Sequence, residues 1–294
     1  MKHLIIGSGG MISVKFVGVL KYLKDQGHLN DLSEISGSSS GALLAAFYIL
    51  LKGDLDSLIK LMTSIDVREY TKINIKNFIY NFGLIDINNL KKLIEDNGFK
   101  DITFRELYEI CPIKLFVPTF DMSNQRTVYM SIDTHPDMDV SDALSRTMAV
   151  PFLFTPVEGV YLDGSISESN PGTPFIGKTD VFEIRTNDAY SQKRIENTKS
   201  LYDYFVNVLY CFLLNRVKIQ DFKRIEVPID FDIFDFSMTT EKKYDLYLSG
   251  YQLAVLQIPR LLGNPKTDHL THCIDDQEQT EDSQCPPEQC DPVS

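Results

Sequence analysis

Two segments within the first fifty residues repeat one pattern, in which an apolar strand runs through a glycine-rich turn into an apolar helix. The first has its strand at residues 3–6 and its turn at residues 7–10, and the second has them at residues 32–35 and 37–41. Successive strand–helix units place their strands in parallel, because the helix carries the chain back across the sheet. The sequence therefore predicts an α/β fold with a mainly parallel central sheet sandwiched by helices.

The second turn is a Gly-x-Ser-x-Gly pentapeptide in which Gly37 and Gly41 flank Ser39. A serine at a sharp strand-to-helix turn is the arrangement that holds a nucleophilic hydroxyl, since the glycines let the backbone turn tightly. Residues 42–51 are typical of the helix that follows, and Gly53 is its predicted stop. The pentapeptide alone is a weak signal, but its place between a strand and a helix makes Ser39 the candidate nucleophile.

The first turn opens a helix, and we expect the backbone N–H groups of Gly9, Gly10 and Met11 to point together at a developing oxyanion. A nucleotide-binding loop is the alternative for such a turn. The dinucleotide fingerprint needs Gly or Ala at the position of Ile12, and no Gly-Lys-Ser/Thr follows as a phosphate-binding loop requires. The turn is therefore interpreted as an oxyanion loop.

An acidic residue, Asp163, ends a short predicted strand at residues 159–162, precedes Gly164 and is expected to face a loop rather than the core. Asp-Gly is a common turn dipeptide, so the residue taken alone is more often structural. Beside a serine nucleophile it is the candidate general base. Because an aspartate with an ordinary pKa of about 3.9 is a weak base for a hydroxyl, we expect burial near Ser39 to strengthen it.

Five blocks of the sequence resemble, in order, segments of the patatin-like phospholipases, a family of serine acyl hydrolases that use a Ser–Asp dyad. The blocks are residues 6–20, 37–41, 82–86, 143–154 and 161–164. The resemblance implies a three-layer α/β fold and hydrolysis of lipid esters. It also implies a role for each matching position, with Ser39 as nucleophile, Asp163 as base, Gly9 and Gly10 near the oxyanion hole, and Gly37, Gly41 and Gly164 as motif glycines.

Two positions depart from the family pattern. Ile12 stands where the family usually has a basic residue, so any electrostatic help toward an anionic head group is absent. Ser165 stands where Gly or Ala usually follows Asp-Gly. Ile12 and Ser13 keep open the alternative of a degenerate member that binds lipid or a protein partner without turnover.

A Ser-His-Asp hydrolase that uses His269 or His272 is a further alternative, because the order Ser39, Asp163, His matches that of the α/β-hydrolases. That fold places its elbow after several strands, whereas only one strand–helix unit precedes Ser39 here. The sequence therefore favours the dyad.

The 294 residues are 43% apolar and 24% charged, which is typical of one globular domain, predicted at residues 1–263. Residues 264–294 form an acidic tail predicted to be disordered, with seven acidic residues and no Lys or Arg from Asp275 onward. The formal net charge of −12 shows no basic excess. The sequence therefore disfavours a nucleic-acid partner.

Five cysteines, an odd number, fit neither a disulfide framework nor a spaced zinc site, so we expect a cytoplasmic protein, peripheral to membranes, with no metal or other cofactor. No secretion signal is visible at the start. The longest apolar stretch in the later part of the chain, residues 205–214, is about ten residues long and contains Asn207, whereas about 20 residues are needed to span a membrane. The expected partners are a phospholipid or glyceride substrate and a membrane or micelle surface met transiently.

Overall fold

A central sheet organises the protein, whose computed structural model describes residues 1–187 and 220–262. Its strand order is β5-β4-β2-β1-β8-β9, with β7 also paired to β4. Strands β4, β2, β1, β8 and β9 all run parallel to one another. Strands β5 and β7 run antiparallel to β4, and β3 and β6 form a separate parallel pair. The described strands are β1 His3–Ile6, β2 Glu34–Gly37, β3 Gly83–Ile85, β4 Lys114–Asp121, β5 Arg126–Met130, β6 Phe152–Phe154, β7 Tyr161–Asp163, β8 Val181–Thr186 and β9 Lys223–Val227.

Helices pack against this sheet and close the core. The described helices are α1 Ser13–Asp25, α2 Ser40–Leu50, α3 Leu55–Ser64, α4 Ile75–Asn81, α5 Ile87–Ile94, α6 Phe104–Ile110, α7 Val140–Thr147 and α8 Thr240–Leu262. This mainly parallel α/β architecture is the predicted fold class, which is confirmed.

The burial of β1 explains its composition. Leu4, Ile5 and Ile6 are all fully buried, as expected of a parallel strand covered on both faces. Leu4 and Ile6 belong to the main core, while Ile5 points to the other side and packs with Phe175 and Val181. The core therefore lies on both sides of the sheet.

Helices α1 and α8 approach each other at two glycines. A Cβ at Gly250 would lie 1.9 Å from the carbonyl oxygen of Lys15, and a Cβ at Gly18 would lie 2.1 Å from that of Tyr247. Only residues without a Cβ allow this approach. Gly250 inside the last helix is thus explained by packing.

Most sequence-predicted elements are present with shifted ends. Strand β2 lies two residues later than predicted. Residues 114–120 and 126–132 are rich in β-branched and aromatic residues and predict a hairpin, which β4 and β5 confirm. The Thr-x-x-Glu spacing of Thr103 and Glu106 predicts a capping box at a helix start, and it is present at α6. Thr103 Oγ1 accepts from the N–H of Glu106 at 3.2 Å, and the Glu106 carboxylate accepts from the N–H of Thr103 at 2.8 Å. Four elements have no predicted counterpart, namely β3, β6, β9 and α4. Strands β3 and β6 have three residues each, too few for a periodic pattern.

Some predictions concern parts of the chain outside the described residues. They are residues 201–217, whose apolar character predicts a long helix, the acidic tail at residues 264–294, and His269 and His272. Among the helices of residues 1–187 and 220–262, none is both long and apolar enough to cross a membrane.

Glu183 lies in the middle of β8, buried between Ile5 of β1 and Arg224 of β9. Desolvation raises its pKa from 4.5 to about 7, against the opposing effect of Arg185. The folded protein therefore holds this proton more tightly than the unfolded chain does. Its contribution to stability is fully present below pH 4.5 and is lost as the pH rises through 7.

Glu183→Gln keeps the size of the side chain and removes the charge. We expect the free energy of unfolding of the variant, relative to the wild type, to rise by roughly 3 kcal/mol between acidic and mildly alkaline pH. Urea denaturation across that range measures it, with Glu109→Gln, an exposed change on α6, as the control. Parallel pH profiles for wild type and Glu183→Gln would contradict the prediction.

Candidate active site

Ser39 occupies the turn between β2 and α2 with φ 53° and ψ −128°, a conformation that few non-glycine residues adopt. Such backbone strain costs about 1–3 kcal/mol and persists only where the surroundings fix it. Gly41 lets the turn pack closely against its surroundings, because a Cβ at position 41 would lie 2.4 Å from the carbonyl oxygens of Ile6 and Gly7. Gly37 is restricted in the same way by the backbone of α2, at 2.7 Å. The turn is therefore pressed against the end of β1 and holds Ser39 at the carboxyl edge of the sheet.

The register of the sheet brings Asp163 toward this turn. Strand β2 pairs with the first half of β4, where Ser36 lies opposite Phe116, and β7 pairs with the second half, where Asp163 lies opposite Thr119. Strand β5 occupies the other edge of that second half, so β2 and β7 share one edge of β4 and run toward each other. Their carboxyl ends, which carry Ser39 and Asp163, therefore meet over the middle of β4.

The end of α7 and the residues just after it contact both Ser39 and Asp163 from a second side. The N–H of Ser39 donates to Thr147 Oγ1 at 3.1 Å, and the N–H of Asp163 donates to the carbonyl of Ala149 at 3.0 Å. One short stretch of backbone thus positions the two candidate catalytic residues.

Asp163 is buried, with 1% of its surface exposed, so the expectation that it faces a loop is wrong. The backbone N–H of Ser165 donates to its Oδ1 at 2.7 Å, which orients the carboxylate. Because the donor is backbone, serine in place of Gly or Ala at position 165 leaves this bond possible. Gly164 fits closely against β4, since a Cβ there would lie 2.3 Å from the carbonyl oxygen of Pro118.

The candidate oxyanion loop, residues 9–11, differs from the expectation at one residue. The N–H of Met11 donates to the carbonyl of Ile233 at 2.8 Å, so in this structure it is not free to meet an oxyanion. Gly10 has φ 54°, and a Cβ there would lie 2.4 Å from the same carbonyl. Among residues 1–187 and 220–262, no acceptor is found for the N–H groups of Gly9, Gly10 and Ser40.

Ser40 was not considered from the sequence, although the N–H that follows the nucleophile is the usual donor in elbows of this kind. The Gly-x-Ser-x-Gly motif itself was the signal that could have found it. Its N–H lies at the first turn of α2, where the helix dipole favours negative charge.

Ile12 is fully buried beneath the loop. A Cβ at position 9 would lie 2.1 Å from Cγ2 of Ile12, so Ile12 can occupy this place because residue 9 is glycine. Ile12 thus supports the loop from the core, and Ser13 lines the cavity described next.

An apolar cavity of about 100 Å³ lies beside Ser39. Apolar cavities of about 150 Å³ in proteins stay dry and take up hydrocarbons such as benzene. The chemistry of this wall therefore suits a hydrocarbon segment next to the serine. Its apolar lining includes Met11, Leu43, Met62, Met148, Phe154, Phe234 and Phe236.

Lys243 of α8 is the one charged side chain among the described residues that line this cavity. It is 3% exposed, and its ammonium donates to the carbonyl of Ile65 at 2.5 Å. Desolvation lowers its pKa, while the nearby carboxylate of Asp66 acts in the opposite direction. No sequence pattern pointed to Lys243, because a lysine in a helix is usually solvated.

Three of the five histidines lie among the described residues. His3, His28 and His135 lie in that part of the chain, and none of them lines the cavity. Residues 1–187 and 220–262 contain no group of three His, Cys, Asp or Glu side chains that could hold a metal ion.

Comparison with known proteins identifies relatives. An uncharacterised protein of Acanthamoeba polyphaga mimivirus is 25% identical over 293 residues, which cover 90% of this chain and 96% of that protein. A protein named as a probable lipid hydrolase of Invertebrate iridescent virus 6 is 26% identical over 189 residues, which cover 58% of this chain and 61% of that protein.

The crystal structure of VipD from Legionella pneumophila superposes with a TM-score of 0.55 and 16% identity, covering 89% of this chain and 66% of VipD. At that identity the likeness concerns the fold alone. This chain spans less than two thirds of both VipD and the iridescent-virus protein. The sequence model of the patatin-like phospholipase family matches residues 4–176, which is more than half of the chain, and the protein belongs to that family.

Proposed function

We propose that this protein is a lipid acyl hydrolase that cleaves carboxylic esters through a covalent acyl-Ser39 intermediate, with Asp163 as the base. The observation that carries the proposal is the strained Ser39 at the wall of an apolar cavity, with the strand that ends in Asp163 arriving on the same edge of β4. The name of the iridescent-virus relative, a probable lipid hydrolase, supports the same class of activity.

In the first half-reaction the hydroxyl of Ser39 gives its proton to the carboxylate of Asp163 as its oxygen attacks the ester carbonyl carbon. The N–H groups of Gly9, Gly10 and Ser40 are the proposed donors to the resulting oxyanion. One such donor is typically worth about 3 kcal/mol of transition-state stabilisation. Collapse of the intermediate breaks the ester C–O bond, and the departing alcohol takes the proton from Asp163.

In the second half-reaction water attacks the acyl-enzyme and gives a proton to Asp163. The same oxyanion donors act again. When the bond to Ser39 breaks, the serine oxygen recovers that proton and the fatty acid is released. The chemistry balances without a metal ion or an organic cofactor.

The proposed substrate is a phospholipid or a glyceride whose acyl chain enters the cavity beside Ser39. The catalytic domain is proposed to be residues 1–263, because Phe234, Phe236 and Lys243 complete the cavity wall. A cytoplasmic setting is part of the proposal and rests on the odd number of cysteines in the sequence.

A family member that binds lipid without turnover is the second candidate. It is favoured by Met11, whose N–H is engaged by Ile233, and by Ile12, which is buried where the family usually has a basic residue. The two candidates differ in whether Ser39 reacts, and one experiment separates them.

Ser39→Ala and Asp163→Asn are each expected to abolish labelling by a fluorophosphonate probe, because one removes the nucleophile and the other its base. The wild type should be labelled, and peptide mapping should place the label on Ser39. Ester hydrolysis by Asp163→Asn should fall at least about 10³-fold, as removing an essential base commonly does.

Matched changes outside the site control for non-specific effects. Ser64→Ala, exposed at the end of α3, and Asp142→Asn, whose carboxylate pairs with Lys91, should label like the wild type. A folded wild type that resists the probe would reject the hydrolase in favour of the binding protein. Labelling of a serine other than Ser39 would reject the dyad.

Thr147→Val is expected to lower the rate of Ser39 labelling about tenfold, because the N–H of Ser39 loses its acceptor while side-chain volume is kept. An unsatisfied buried N–H costs about 1–3 kcal/mol. Thr147→Ser retains a hydroxyl and should restore the rate. If Thr147→Val changes the melting temperature but not the labelling rate, Thr147 is structural only and does not position the nucleophile.

A further inference from the structure

Five large apolar side chains lie exposed on one short segment, which we call the apolar excursion, residues 73–82. Each is between 61% and 76% exposed. They are Ile73, Ile75, Ile79, Tyr80 and Phe82. Single exposed apolar residues are ordinary, whereas a cluster of this kind on a folded protein usually marks an interaction site.

Helix α4 arranges part of this cluster on one face. Ile75, Ile79 and Phe82 are spaced by four and three residues, so they follow one side of the helix and its end. Phe82 has φ 64°, a left-handed conformation that is costly for an aromatic residue. The protein thus holds Phe82 in an unfavourable backbone conformation while leaving 67% of the residue exposed.

The ends of the excursion are fixed to the rest of the protein. The N–H of Asn74 donates to the carbonyl of Leu84 at 2.8 Å and closes its base. Strand β3, which follows, pairs with β6, and the N–H of Thr155 donates to the carbonyl of Ile85 at 3.0 Å. Backbone hydrogen bonds therefore hold the base of the segment that carries the exposed side chains.

The excursion adjoins the candidate active site on both sides. Thr71, just before it, lines the cavity beside Ser39. Ile85, just after it, pairs with Phe154, which lines the same cavity. A surface that covered the excursion would therefore lie next to the cavity.

The charges of this segment differ from those of the whole chain. Residues 70–85 contain Lys72 and Lys76, both exposed, and no acidic residue, in a protein with a formal net charge of −12. Apolar side chains flanked by lysines suit the boundary between lipid head groups and acyl chains. That combination argues for a lipid surface as the occupant.

We propose that residues 72–82 form the surface by which this protein docks on a lipid bilayer, with the isoleucines, Tyr80 and Phe82 entering the interface and the two lysines meeting phosphate groups. The docked face brings the cavity beside Ser39 next to the lipid. This inference rests on the proposed function for its purpose, but binding can be measured without turnover.

The test uses the full chain carrying Ser39→Ala, so that no lipid is consumed. Its binding is measured by flotation with vesicles of phosphatidylcholine containing a minor share of phosphatidylserine. Ile75→Ser with Ile79→Ser should lower the partition coefficient at least about tenfold, since two large apolar side chains leave the interface. Lys72→Gln with Lys76→Gln should reduce only the gain in binding that phosphatidylserine produces.

Ile176→Ser is the matched control, because Ile176 is 55% exposed and lies before β8, toward the amino ends of the parallel strands. It should bind vesicles like the Ser39→Ala parent. Unchanged binding by the Ile75 and Ile79 variant, an equal loss in Ile176→Ser, or no vesicle binding by the parent would each overturn the proposal. A protein partner that needed Ile75 and Ile79, with vesicles ignored, would also overturn it.

Failure of the docking surface is distinguishable from failure of the proposed function. With Ser39 intact, the Ile75 and Ile79 variant should hydrolyse a soluble short-chain ester within about twofold of the wild type while losing activity on vesicles. Loss of both activities would overturn the docking role. A wild type inactive on every ester would reject the hydrolase and leave the vesicle-binding result standing.

Discussion

One edge of strand β4 is shared by two strands that run toward each other, and the candidate site depends on this arrangement. Strand β2 uses the first half of the edge and β7 the second, so their carboxyl ends meet there. A backbone ladder thus sets the approach of the two segments that carry Ser39 and Asp163. The bonds to Thr147 and Ala149 add a second constraint from outside the sheet.

The elements around Ser39 come from two parts of the chain, one inside the family match and one outside it. The family match, residues 4–176, includes the elbow, the glycine loop and Asp163. The segment after β9 lies outside that match, yet its Ile233 carbonyl holds the oxyanion loop and its Phe234 and Phe236 line the cavity. The proposed chemistry is therefore built from the shared part, whereas the shape of the cavity also depends on a part that the match does not include.

The sequence was sufficient for the fold class because two strand–turn–helix units and the elbow leave few alternatives to a parallel sheet. It was also sufficient to select Ser39 and Asp163 as candidates. It could not predict that the N–H of Met11 would donate to the carbonyl of Ile233, because the two residues lie more than 200 positions apart and no local pattern indicates such a contact. The burial of Lys243 and the exposure of Ile75 and Phe82 likewise depend on tertiary packing, which reverses what their residue types suggest.

Three methionines, Met11, Met62 and Met148, lie in the cavity wall. Their unbranched thioether side chains change rotamer at little cost, so the wall can adjust its contour to what enters it. A wall of β-branched residues would instead impose a fixed limit on the length of the group that enters the cavity. The same feature makes the cavity sensitive to oxidants, because methionine sulfoxide would replace a pliable apolar surface by a polar one.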